Sequence, residues 1–158
     1  MRIFYLTTLL VMIPLAQAVS ETYDIITPLS FGSFAVSSND SVYELTVSET
    51  GVVNNDSAFI VGAVAPVRGE MVLEDLLPDT EIHVEFDDGV LVPDNGPGAS
   101  FTITDFTITS NRAPPNEFRT TAGGDLTLYY GASLRTSGNG QVYVSGPYQG
   151  DFEITIDY

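Results

Sequence analysis

An all-β fold, a sandwich or barrel of short antiparallel strands, is what the sequence predicts, and three observations predict it. Apolar residues recur with a period of two, clusters of turn residues interrupt them, and no window carries an amphipathic helix. Strands this short and evenly spaced build sandwiches and barrels.

Before the first strand, residues 1–18 read as a cleavable signal peptide. Arg2 supplies the cation, Ile3 to Leu15 the apolar stretch, and Ala16 and Ala18 flank Gln17 in the A-x-A pattern cut by signal peptidase. A membrane-spanning helix needs about 20 apolar residues, and here Thr7, Thr8 and Pro14 interrupt the stretch and polar residues follow at once. The chain then divides into a leader, 1–18, and one β-sandwich domain, 19–158. Its expected destination is exported: periplasm, cell surface or exterior.

The strands expected after the leader follow in order. Near 23–27 and 30–36, Tyr23, Ile25, Thr27, Leu29 and Phe31 alternate. Near 42–48, Tyr43, Leu45 and Val47 alternate with Glu44, Thr46 and Ser48. Candidates at 58–64 and 70–76 lie between the turn signals Glu49-Thr50-Gly51 and Pro78-Asp79. Near 80–86, Ile82, Val84 and Phe86 alternate with Glu81, His83 and Glu85. In the strand at 100–109, Phe101 and Ile103 share one face and Phe106 and Ile108 fall out of phase. That slip at Thr104-Asp105 requires either a bulge or a crossing between sheets. The run at 125–136 contains Gly131, which marks a bend or a close backbone approach. A further strand is expected at 141–145, after Ser137-Gly138-Asn139-Gly140, and a last one at 150–158. There Phe152, Ile154, Ile156 and Tyr158 alternate with Glu153, Thr155 and Asp157.

Composition narrows the chemistry. Of 158 residues, 21 are Asp or Glu and 5 are cations, all of them Arg; there is one His and no Cys or Trp, and the formal charge is −16. Without Lys there is no Walker lysine and no Schiff base, and without Cys no disulfide or thiolate site, so the fold must hold by packing. An acidic surface repels nucleic acid and anionic membranes, so neither is an expected partner.

No catalytic residue emerges. His83 shares its strand face with Glu81 and Glu85, but same-face neighbours stand about 6.6 Å apart along a strand, whereas metal ligands converge at about 2 Å. It reads as a surface histidine, and no nucleophile elbow G-x-S-x-G accompanies it. With this many carboxylates, pairs at glycosidase spacing carry no signal. A loop from Asp87 to Gly98 is expected to bring together calcium candidates Asp87, Asp88, Asp94 and Asn95, although Asp, Asn and Gly are also what turns require. Asn39-Asp40-Ser41 and Asn55-Asp56-Ser57 match the N-glycosylation sequon. Tyr129, Tyr130, Tyr143 and Tyr148 suggest a sugar-stacking platform, yet Tyr129 and Tyr130 must face opposite sides of a strand.

The segment from Gly124 to Tyr158 resembles an exported bacterial family, the domain-of-unknown-function family 4402. The resemblance rests on Gly124, Leu126, Leu128, Gly131, Leu134 and the run Pro147-Tyr148-x-Gly150-x-Phe152-x-Ile154-x-Ile156-x-Tyr158, with Leu29-Ser30-Phe31-Gly32 and Ala58-Phe59-x-Val61 as further matches. It implies an immunoglobulin-like antiparallel β-sandwich, sometimes compared with fimbrial subunits, and brings no active-site residues. Family members more often carry paired glycines where this chain has Gly131-Ala132.

The function expected is that of a non-catalytic structural or adhesive surface module, fimbrial-subunit-like, acting through strand-mediated assembly. Its partners would be itself or other surface subunits, engaged through edge or terminal strands. The alternative is an extracellular module binding calcium or a glycan. An outer-membrane barrel fits less well, because lipid-facing strands run about 9–11 residues and few candidates here reach that length. No stable membrane insertion is expected.

Overall fold

Where the sequence alternates, the computed structural model forms strands; it describes residues 22–112 and 118–158. The expected leader and the turn signal at 113–116 lie outside the described residues. Twelve strands are present among them: β1 (Thr22–Thr27), β2 (Phe34–Val36), β3 (Glu44–Val47), β4 (Val53–Asn55), β5 (Phe59–Val61), β6 (Gly69–Glu74), β7 (His83–Phe86), β8 (Gly89–Pro93), β9 (Phe101–Ser110), β10 (Leu126–Arg135), β11 (Tyr148–Gln149) and β12 (Ile154–Asp157). All pairings are antiparallel. No helix among the described residues is long and apolar enough to cross a membrane.

Eight strands make one sheet, in the order β1-β6-β10-β9-β8-β11, with β3 joined to β10 and β4 to β3. The second layer consists of two separate ribbons, β2-β5 and β7-β12. The protein is thus an all-β antiparallel sandwich whose first layer is continuous and whose second is split.

Strand β10 organises the first layer. Along one edge it pairs with β9; along the other its first half, Leu126 to Tyr130, pairs with β6 and its second half, Ala132 to Arg135, with β3. Gly131 stands at the change of neighbour, where a Cβ atom would overlap the carbonyl oxygen of Val47. The sequence expectation of a close backbone approach at this glycine is met.

The phase slip in β9 is a bulge. Opposite Gly131 and Ser133 on β10 lie Thr107 and Thr104, so β9 carries one extra residue, and Asp105 adopts φ 50° to accommodate it. The bulge returns Phe106 and Ile108 to the inward face used by Phe101 and Ile103, and both pack against core residues. Arg135 reaches across to Asp105 and also holds Glu44 at 3.0 Å, fastening β3, β9 and β10 together on the outer face.

The crossing between layers occurs elsewhere. β8 and β11 pair in the first layer, β7 and β12 pair in the second, and the Asp87 amide donates to the Glu153 carbonyl between them at 3.0 Å. These four strands form one antiparallel ribbon bent over the rim of the sandwich. At the bend a Cβ on Gly150 would overlap the Val90 carbonyl, so glycine is required there.

Two apolar clusters fill the space between layers. Under β2-β5 lie Leu45, Val47, Phe101, Ile103, Ala132 and Leu134; under β7-β12 lie Met71, Leu73, Leu126, Leu128 and Tyr130. Leu29 and Phe152 pack against both. Each fully buried Leu contributes about 1.5–3 kcal/mol, and β10 alone supplies Leu126, Leu128 and Leu134 at 0% exposure.

Three expectations need correction. Residues 141–145 form no strand: a buried asparagine shapes the chain around them, with Asn39 Nδ2 donating to Ser137 Oγ and to the Gln141 carbonyl, each at 2.9 Å. Short strands β4 and β8 form where no strand was expected, because each lies beside a free edge, of β3 and β9 respectively. The 87–98 stretch is accordingly a strand between two turns rather than a single loop.

Candidate functional site

Because the second layer is split, core side chains are left open to solvent along two grooves. The larger, about 780 Å³, lies between β2 and the segment 143–150, with Phe31, Phe34, Phe101, Tyr143, Tyr148 and Phe152 in its lining. The smaller, about 510 Å³, lies along the side of the sandwich between β1 and β12, lined by Tyr23, Ile25, Met71, Leu73, Ile154, Ile156 and Tyr158 among others.

Each groove runs beside an unpaired strand edge. β2 pairs only with β5. Ser37 donates to the Ala58 carbonyl at 2.9 Å and Gly62 to the Ser33 carbonyl at 2.6 Å, so residues 33, 35 and 37 turn their backbone groups toward β5. By alternation Phe34 and Val36 turn theirs toward the larger groove. β12 likewise pairs only with β7. Since Glu153 bonds to Asp87, the same alternation aims the backbone groups of Ile154 and Ile156 at the smaller groove.

The larger groove is aromatic, but its rings are engaged with one another. Tyr143 stacks on Phe101 with centroids 4.1 Å apart and planes 12° apart, while Tyr148 and Phe34 meet Phe101 edge-on at 5.0 and 5.4 Å. The tyrosine hydroxyls are used internally: Tyr143 donates to the Ser100 carbonyl at 3.2 Å and accepts from the Ser137 amide at 2.8 Å, and Tyr148 donates to the Val144 carbonyl at 3.2 Å. Burial pushes the Tyr148 hydroxyl up from its ordinary value. Among the described residues, no Asp, Glu, His or Arg side chain lines either groove. Such surfaces can bury an apolar segment and pair with its backbone.

The residues singled out by sequence are dispersed. His83 is exposed on β7, its Nε2 3.1 Å from Glu85 Oε1. Asp87 and Asp88 precede β8 while Asp94 and Asn95 follow it; a five-residue strand separates its ends by roughly 16 Å, so the four calcium candidates do not converge. Asp94 instead accepts from Gln149 Nε2 at 2.6 Å. No group of three or more His, Cys, Asp or Glu among the described residues is arranged to hold a metal. Of the four tyrosines, Tyr130 is buried in the core, Tyr129 lies under Arg68 with the guanidinium 3.9 Å from its ring centroid, and only Tyr143 and Tyr148 share a groove. Both sequon asparagines are engaged: Asn39 in the network above, and Asn55 donating to the Phe59 carbonyl at 2.9 Å.

The tightest polar cluster is structural. Glu44 accepts from Ser133 at 2.8 Å, Thr46 at 2.9 Å and Arg135 at 3.0 Å, and these bonds, Ser133's foremost, hold its carboxyl below the ordinary value of 4.5. Glu44 in turn holds the Arg135 guanidinium above its usual value. With three hydrogen bonds accepted from β3 and β10, the carboxylate ties the two strands together.

Sequence reasoning identified the alternation of β12 and its terminal aromatic, but not the openness beside it. The model of a family described as a domain of unknown function (DUF4402) matches residues 19–158. No curated protein and no solved structure matches the chain.

Proposed function

The chain belongs to the DUF4402 family, and from that premise and its open grooves we propose that it is an exported, non-catalytic surface module that assembles with other subunits by strand addition. One observation carries this reading: two strand edges, of β2 and β12, are unpaired beside grooves floored by core side chains. An incoming strand would complete the ladder with its backbone and bury alternate apolar side chains, which is how strand addition achieves both affinity and register. The leader pattern around Arg2 and Ala16-Gln17-Ala18 supports export. The apolar and aromatic character of the described groove linings supports a role in adhesion or structure.

The N-terminal alternating segment, Tyr23 to Phe31, is the obvious donor by sequence, but β1 already pairs with β6 of its own sheet through Thr22↔Glu74 to Thr27↔Glu70. Here the chain's role is therefore acceptor. The test is to extract the protein natively from its own cells, measure its mass by light scattering, and follow hydrogen exchange. The expected result is a mass above that of one chain, with the Phe34, Val36 and Ile156 amides protected in the assembly and fast-exchanging in the isolated chain. A species of one-chain mass in every native extract would overturn the reading.

A further inference from the structure

The groove between β1 and β12 specifies its occupant more closely, and this step rests on the strand-addition reading. On β1, Tyr23 and Ile25 stand opposite Leu73 and Met71, both buried, so the four share the inward face. Yet Tyr23 is 71% exposed and Ile25 53%. The first layer extends past the second here: β12 is the last strand of its ribbon, and nothing among the described residues lies over β1. A strand added to β1 would only lengthen the first layer and leave Tyr23 and Ile25 uncovered. One added to β12 would lie over both and also cover Ile156 and Tyr158. The missing position is therefore beside β12.

Charge then identifies what fits there. The outward residues of β12 and the position before it are Glu153, Thr155 and Asp157, and beyond them on β7 stand Glu85 and His83. No arginine belongs to β1, β6, β7 or β12. Cross-strand neighbours of opposite charge favour pairing and like charges oppose it. A second copy of this chain, at net −16 with acids on its own edge strands, would set carboxylates against carboxylates. We infer that β12 accepts an extended segment of a basic partner protein, apolar at alternate positions facing Tyr23, Ile25 and Ile156, and Lys or Arg at the intervening positions facing Glu153 and Asp157.

The test uses three synthetic nine-residue peptides: one alternating Val or Ile with Lys, one alternating the same apolar residues with Glu, and a scrambled version of the first with identical composition. Binding is measured by fluorescence anisotropy against the folded chain, and the site by hydrogen exchange. The expected result is that the alternating basic peptide binds at least about tenfold more tightly than either control and protects the amides of Ile154 and Ile156. Glu153→Gln with Asp157→Asn, both at exposed sites, should reduce that preference about tenfold while the unfolding midpoint stays put. Equal binding of basic and acidic peptides, equal binding of the scrambled peptide, protection elsewhere than β12, or homodimerisation through β12 would each overturn the inference. None of these alters the native mass measurement, so assembly by strand addition stands or falls separately.

Discussion

Strands β10 and β12 carry the same sequence pattern and meet opposite fates. Both alternate apolar and polar residues, but β10 has β9 on one side and β6 followed by β3 on the other, and its Leu126, Leu128 and Leu134 are 0% exposed. β12 has one neighbour, its isoleucines are only partly buried, and Tyr158 just past it is 59% exposed. Alternation determines which face turns inward; the number of neighbours determines whether that face is covered. The split second layer thus concentrates buried contacts around β10 and leaves apolar side chains open to solvent beside β12.

The contrast is sharpest in matched truncations. Leu128→Ala should lower the unfolding free energy by about 2–5 kcal/mol, because a fully enclosed side chain leaves a cavity. Ile156→Ala should lower it by only about 1 kcal/mol, since water can fill the open groove. Urea unfolding measures both, and equal losses would break the comparison.

A smaller effect is expected where β10 changes partners. Gly131→Ala places a methyl group against the Val47 carbonyl, so β3 must move away from β10, at about 1–3 kcal/mol. The loss should appear in the unfolding midpoint and as faster exchange of amides in β3, with those of β12 unaffected. Faster exchange spread evenly over both regions would mean that the two halves are not separable.

The smallest effect concerns the Glu44 cluster. Its carboxyl is held below 4.5 in the folded chain, so the ionised form stabilises the fold. That contribution is fully present above about pH 4.5, the value expected when unfolded, and is lost as pH falls below it through the lower folded value. Glu44→Gln should therefore cost up to about 1 kcal/mol near neutrality, modest because the pair is partly exposed and screened. The difference from the natural chain should shrink as pH falls below about 4.5. Urea midpoints at the two ends of that range measure it; a constant gap would detach the carboxylate from the stability of this edge.

Much of the fold was legible. Leu45 and Val47, Phe101 and Ile103, and Ile154 and Ile156 lie on the faces their spacing requires, because side chains alternate along any strand regardless of what it packs against. The slip at Thr104-Asp105 was legible as an irregularity, with bulge and crossing left open; only the register against β10 selects the bulge. The strand expected at 141–145 failed because its backbone environment is set by Asn39, about a hundred positions away in sequence. The candidate site was legible only in its parts. Phe31, Phe152 and the β12 alternation were visible, but a groove is defined by the strand that is missing, and no residue encodes an absence locally.

By itself the sequence determined the all-β class of the domain, the inward face of each long strand, a bend or close approach at Gly131, and an acidic surface without thiol or lysine chemistry. These follow from covalent geometry and side-chain type, which act at the level of the residue. The tertiary structure alone decided that one layer is continuous and the other split, that β1 is used within its own sheet, and that β2 and β12 keep free edges over exposed core. Those depend on which distant segments reach hydrogen-bonding distance of one another, a property of the whole folded chain rather than of any stretch of it.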